Sequence, residues 1–393
     1  MRKKNNNKGI VVFLAFIIYF IAIYPQYQLS PLSYLIIPEF KLTAVQFSGI
    51  FTAAMISGIF LSLFAGLLSD KIGIKKSISI GVIISTVAIV LRIFSNDYTT
   101  LMLSMAFAGI VSTFMNSNIA KYLGAWYSNE KLGSMAGLAM AGSSVGMAVG
   151  MSTSAFFPSV KTAFSFAAVL TGIIAAVWLV FGRDKEKEPD NGKEMSRVSI
   201  IKGLKVVVKN RQIWFIGTCL MFLMGANISV SAFLPLALQV SRGITPKAAG
   251  VVASTLMIGA LAGSVLGPVI CRKMGNTRMF LVICGAAGAL GAAGAWLLPS
   301  GIIMIAGLFI TGFLFSSMLP ILISLPISIP EIGQDYAGTA GGFAATLQLL
   351  GCVLIPTYII TPIAGMNYHL LMVLAGASAL ASATCAFFIY RRT

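Results

Sequence analysis

Gly66-Leu67-Leu68-Ser69-Asp70-Lys71-Ile72-Gly73-Ile74-Lys75-Lys76 is a short polar break between two apolar runs, at 44–68 and 77–95. A helix needs about 20 apolar residues to cross a bilayer core, and each run is of that order. Inside lipid the backbone must satisfy its own hydrogen bonds, so both runs read as helices. Gly73 permits a tight turn between them. The lysines mark the side of the membrane on which that turn lies.

Moving outward, the same pattern fills the chain. Of 393 residues, 58% are hydrophobic and only 10% are charged. A soluble protein carries about 25% charged residues, so this chain lacks the charge to coat a soluble fold. The short alternating segments of a β-barrel do not occur. The net charge of +17 would point to nucleic acid in a soluble protein. Here the positive residues stand in short loops between apolar runs and read as topogenic charge, so no nucleic-acid partner is expected. Cys219, Cys271, Cys284, Cys352 and Cys385 fall in or beside apolar runs without CxxC spacing and read as small core residues.

The predicted spans are 10–37, 44–68, 77–95, 99–122, 133–157, 161–182, 211–239, 246–271, 278–298, 300–325, 335–360 and 366–390. The first follows Arg2, Lys3, Lys4 and Lys8, but no small-x-small cleavage site follows it, so it reads as a span and not a signal peptide. The one long polar segment, 183–210, is a linker between an N-terminal six-helix bundle (1–182) and a C-terminal one (211–393). With both termini in the cytoplasm, the inside segments hold 23 of the 28 lysines and arginines. The halves repeat. Gly49, Gly58 and Gly66 recur as Gly250, Gly259 and Gly267 at an offset of 201, and Gly133, Gly137 and Gly146 recur as Gly338, Gly342 and Gly351 at an offset of 205. An even number of spans per repeat gives both halves the same orientation.

The eleven quoted residues fit the pattern G-x-x-x-D-[RK]-x-G-x-[RK]-[RK], the signature loop of the major facilitator superfamily, at its place between spans 2 and 3. On that basis the chain resembles a member of the superfamily. The resemblance implies an all-α membrane protein, twelve transmembrane helices in two six-helix bundles, multi-pass in the plasma or inner cell membrane. It makes Gly66, Asp70, Lys71, Gly73 and Lys75 a gating loop. Gly66 would allow close helix approach, and Asp70 would accept hydrogen bonds from a helix N-terminus, which the resemblance places at span 11 near Tyr336. The second-half copy, Gly267-Pro268-Val269-Ile270-Cys271-Arg272-Lys273-Met274-Gly275, has no acid in Asp70's place. Trp126-Tyr127-Ser128-Asn129-Glu130-Lys131-Leu132-Gly133 is similar to a loop of branches that carry organic or inorganic anions. Nitrate carriers of the superfamily hold arginines in spans 2 and 8, and neither span has one in its interior here.

Ionisable residues are scarce inside the spans, where they would by default be functional. Glu39, Asp97, Glu331 and Asp335 fall in loops, and His369 begins span 12. Only Arg92, near the outer end of span 3, and Lys121 could approach a substrate anion. A neutral or zwitterionic solute, or a small weak acid, fits such a cavity best. The candidate substrate contacts are Tyr19, Gln26 and Tyr27 on one face of span 1, Asn116 in span 4, Met224 and Asn227 in span 7, and Gln348 in span 11. For the amides, helix–helix bonding is an equally good reading. The stripes Gly142/Gly146/Gly150 and Gly259/Gly263/Gly267 suit close packing or sliding, and Pro25, Pro31, Pro235, Pro320 and Pro356 should kink or end helices.

These features predict a secondary active transporter of a small polar organic solute, working by alternating access as a monomer in lipid. It is not expected to be an enzyme or to hold a cofactor or metal. No G-x-x-x-x-G-K-[ST] phosphate loop is present. A proton or a counter-substrate stays open as the coupling partner. Two other readings are a drug/proton antiporter, which the missing span-5 proline and missing buried acid disfavour, and a non-transporting membrane sensor on the same fold.

Overall fold

The computed structural model describes residues 3–184, 204–332 and 336–389. Among them there is no strand, and twelve helices are long and apolar enough to cross a membrane. The spans are Lys8–Tyr27, Ala44–Ser62, Ile74–Phe94, Tyr98–Gly124, Glu130–Phe156, Val160–Phe181, Arg211–Arg242, Pro246–Met274, Thr277–Leu297, Ile302–Ile327, Gly338–Ala364 and Tyr368–Phe387. They keep the numbers 1–12 below. Most of the 183–210 linker, Arg2 and Asp335 lie outside the described residues.

Side-chain caps set several helix starts by satisfying backbone N–H groups that have no partner within the helix. Thr43 with Gln46, Asp97 with Thr100 and Ser159 with Thr162 form capping boxes, and Asn276 and Asn367 cap spans 9 and 12. Gly73 and Gly275, which stand at equivalent places in the two halves, end the helices of spans 2 and 8 with φ of 95° and 69°. Such values favour glycine.

The first span is shorter than its apolar run. The helix ends at Tyr27, and the chain turns through Gln28–Leu32 before a separate short helix, Ser33–Glu39. Pro31 lies in this turn, and the Ser33 hydroxyl bonds back to the Ser30 carbonyl. Pro25, Pro235 and Pro320 stay inside helices, while span 11 passes through a π-helical stretch, Ile355–Ile360, that contains Pro356.

The chain divides into two compact units, one of Met1–Glu188 with Arg242–Ser254, the other of Pro189–Ser241 with Thr255–Thr393. In the first, span 5 seats on span 1: Gly142, Gly146 and Gly150 face the Phe16, Phe20 and Tyr24 carbonyls. In the second, Gly259 and Gly263 of span 8 face the Phe309 and Phe313 carbonyls of span 10, and Gly267 faces Ser317. Both glycine stripes are therefore seats within one unit. The internal repeat is also a repeat of packing. Gly146 of span 5 meets the Phe20 carbonyl of span 1, and its counterpart Gly351 of span 11 meets the Met221 carbonyl of span 7. Likewise Gly109 of span 4 sits on Ala54 of span 2, and Gly312 of span 10 sits on Leu256 of span 8.

Candidate functional site

In the first unit, Tyr19 is buried, at 2% exposure, and its hydroxyl donates to Asn116 Oδ1 at 2.9 Å. Asn116 itself is exposed inside span 4, so the tyrosine holds one end of an amide whose other end is open. The neighbouring polar groups stitch spans 2 and 4 together. The Ser57 and Thr113 hydroxyls are 3.1 Å apart, the Ser117 hydroxyl donates to the Ser62 carbonyl, and Asn118 Nδ2 donates to the Ala65 and Phe114 carbonyls.

Gln26 and Tyr27 do not join Tyr19. Gln26 lies seven residues, about 10 Å, further along the helix, and its Nε2 donates to the Phe51 carbonyl at 2.8 Å. Tyr27 is buried edge-on to the Phe51 ring. Both glue span 1 to span 2.

Arg92 stands near the end of span 3, as expected, and is fully buried in protein. Its guanidinium donates to the Pro25 carbonyl at 2.9 Å and to Gln28 Oε1 at 2.7 Å, and lies over the Phe164 ring, 4.0 Å from its centroid. Pro25 lies in the last turn of its helix, where carbonyls have no intrahelical donor, and Arg92 supplies one to the Pro25 carbonyl. The cation ties spans 3 and 6 to the C-terminal end of span 1. Sequence reasoning ranked it as a conceivable substrate contact and missed this role; the signal available was a proline and two glutamines at the end of span 1.

In the second unit, Met224 and Asn227 are half-buried near the middle of span 7. The Ser231 hydroxyl bonds back to the Asn227 main-chain carbonyl, and the Asn227 side-chain amide has no partner among the described residues. Gln348 is also half-buried. It does not converge with Asn227. Leu347 packs on Gly217, so Gln348 lies level with Thr218 on the parallel span 7, about 13 Å along the axis from Asn227 at 1.5 Å per residue.

At the signature loop Asp70 pairs with Lys121 of span 4 at 2.7 Å, and the same ammonium reaches the Gly66 carbonyl and the Ser69 hydroxyl. A Cβ on Gly66 would meet no atom within 4 Å, so close approach is not what its bare Cα serves in this structure. Lys71 is exposed. The N-terminus of span 3 is capped by Asp184, whose Oδ1 accepts from the Lys75 amide at 2.8 Å, while Lys75 Nζ donates to the Leu179 carbonyl at 3.2 Å. Asp184 was visible in sequence only as one member of a charge run.

The Major Facilitator Superfamily model matches residues 12–356. The chain belongs to this superfamily. A probable nitrate/nitrite antiporter of Thermus thermophilus, NarK1, is 23% identical to this facilitator over 86% of its chain and 83% of the relative. An uncharacterized protein of Archaeoglobus fulgidus is 28% identical over 48% of this chain and 84% of its own. Two solved structures share the fold. A bacterial homologue of the human lysosomal transporter Spinster aligns with a TM-score of 0.74 at 14% identity, covering 98% of this chain and 95% of the other. A variant of the nucleoside transporter NupG aligns at 0.77 and 15% identity, covering 96% and 98%.

Proposed function

We propose that this facilitator is a secondary active transporter that moves a small polar organic solute (a weak acid, zwitterion or neutral molecule) by alternating access. It would act as a monomer in the cell membrane, with both termini in the cytoplasm, two six-helix halves flanking the 183–210 linker, and a proton or counter-substrate as coupling partner. The observation that carries the reading is Asn116. It is an exposed amide within a span, oriented by the buried Tyr19 hydroxyl, and the two cations that could have served an anion are engaged elsewhere, Arg92 by Pro25 and Gln28 and Lys121 by Asp70. With its oxygen held by Tyr19, the Asn116 amide presents its NH2 donors, which suits polar solutes that bring an acceptor without a full charge to neutralise. Asn227 offers the same chemistry in the second unit.

The Thermus relative favours a second reading, a small inorganic anion antiporter. No arginine stands in the interior of span 2 or span 8 to receive such an ion.

A thermal-unfolding panel tests both. A ligand that binds only the folded state raises the melting temperature with concentration. Small acids, amino acids, neutral solutes, nitrate and lipophilic cations are titrated against purified protein and its Asn116→Ala variant. A shift with acids, zwitterions or neutral solutes that vanishes in the variant supports the proposal. A shift only with nitrate, or only with lipophilic cations, replaces it by the anion-exchange or efflux reading.

A further inference from the structure

On the flank of the first unit, the start of span 3 and the end of span 6 enclose a groove of about 550 Å³. Its walls are Ile72, Ile80, Ile83 and Leu179, all at least 36% exposed, with Lys75, Lys76 and Ser79 at one end. In a twelve-span membrane protein, exposed isoleucines along one helix face meet acyl chains. Lys76 is exposed and has no acidic partner among the described residues. Lys75 is held at the rim by its bond to the Leu179 carbonyl and by the Asp184 cap on its own amide, so its ammonium keeps protons to donate. The Ser79 hydroxyl is fixed from behind by the Trp178 indole N–H at 3.1 Å. An apolar trough with two ammonium groups at one end matches one kind of molecule, an acyl chain joined to an anionic headgroup.

We propose that this groove is a binding site for an anionic phospholipid, with one acyl chain along Ile72, Ile80, Ile83 and Leu179 and the phosphate on Lys75 and Lys76. The occupant clips the signature loop to span 6, because Lys75 and Lys76 close that loop and Leu179 belongs to span 6. The site depends on the chain lying in a membrane and not on the identity of any transported solute.

Native mass spectrometry of the full chain, released from detergent, reads the site directly. The probe is dioleoyl phosphatidylglycerol; dioleoyl phosphatidylcholine, with the same chains and no net charge, and inorganic phosphate are the controls. One phosphatidylglycerol should bind saturably, phosphatidylcholine more weakly, and phosphate alone should neither bind nor displace it. A lysine near the membrane surface contributes about 1 kcal/mol to anionic-lipid binding, so Lys76→Gln should weaken phosphatidylglycerol about fivefold. Ile80→Trp keeps both charges and fills the trough, and should weaken both lipids together. Equal binding of the two lipids, displacement by phosphate, or full affinity in both Lys76→Gln and Ile80→Trp would overturn the assignment.

Discussion

Span 5 allows one substitution to be made where its consequences differ only in what the new methyl group meets. At Gly137 a Cβ would meet nothing within 4 Å. At Gly150 it would lie 2.9 Å from the Tyr24 carbonyl oxygen, and at Gly146 2.6 Å from that of Phe20, clearly inside the 3.0 Å limit that real Cβ contacts respect. At Gly142 it would press deeper still into the Phe16 carbonyl. Alanine for glycine inside a helix is worth up to about 1 kcal/mol by propensity, and this gain is common to all four positions. Forcing a methyl group into a packed interface costs about 1–3 kcal/mol. Gly137→Ala should therefore gain up to about 1 kcal/mol. Gly146→Ala and Gly142→Ala should each lose up to about 2 kcal/mol, Gly142→Ala the more. The Gly142→Ala deficit has a second effect. Tyr19 lies between Phe16 and Phe20, so parting spans 1 and 5 disturbs its 2.9 Å bond to Asn116 and should weaken any ligand that stabilises the wild type. Thermal unfolding in detergent, followed by tryptophan fluorescence, should rank the melting temperatures Gly137→Ala, then Gly150→Ala, Gly146→Ala and Gly142→Ala, over a few degrees. A Gly142→Ala protein that melts with or above Gly137→Ala would refute the carbonyl seat.

The Asp70–Lys121 pair is 42–57% exposed, and exposed pairs contribute at most about 1 kcal/mol; Asp70→Asn should leave the melting temperature nearly unchanged while slowing proteoliposome uptake of whichever solute the panel identifies. Arg92→Ala removes the donor of the Pro25 carbonyl and of Gln28 Oε1, at about 1–3 kcal/mol for each acceptor left bare; it should melt below Arg92→Lys, whose single ammonium lacks the fork that serves both. The Asp97 carboxyl is held below its usual pKa by the Thr100 backbone N–H it accepts from, followed by the Thr100 hydroxyl. Its capping contribution is thus present above the unfolded value and lost as pH falls through the lower folded one, so the melting difference between wild type and Asp97→Ala should be full at pH 7 and shrink below about pH 4.

Twelve spans, the family and the internal repeat were legible because each is written in one dimension. Apolar length sets a span, an eleven-residue loop sets the family, and glycines at a nearly constant offset mark equivalent seats. The site was legible only in part, because a span shows its faces and not what stands against them. Tyr19, Gln26 and Tyr27 share a helical face. Height along the axis separates them: the Phe51 carbonyl takes Gln26, while Asn116 lies within reach of Tyr19. Gln348 and Asn227 sit near the middle of their own spans, but the register of span 11 on span 7, fixed by Leu347 on Gly217 and Ile355 on Gly225, puts them at different heights.

Arg92 shows why charge counting falls short in the membrane. A lone arginine near a span end reads as a snorkelling or substrate-facing cation, since the cost of burying it dominates any one-dimensional estimate. That cost falls when the cation meets acceptors the helices have already left bare. Pro25 lies in the last turn of span 1, where carbonyls lack intrahelical donors and the helix dipole favours positive charge. Gln28 brings a side-chain carbonyl to the same point, and Phe164 presents a ring face. Three neutral groups, from the end of span 1, the turn after it and span 6, thus do the work of a missing carboxylate. A fixed cation with no acid partner among the described residues leaves the first unit's amide site without competition from a mobile charge. For that reason the solute is expected to be selected by the open amino end of Asn116, whose oxygen Tyr19 holds, rather than by its net charge. Adding a charge there is the direct check: Asn116→Asp should abolish the thermal shift given by weak acids and retain or enhance that given by zwitterions, and an unchanged acid shift would contradict the assignment.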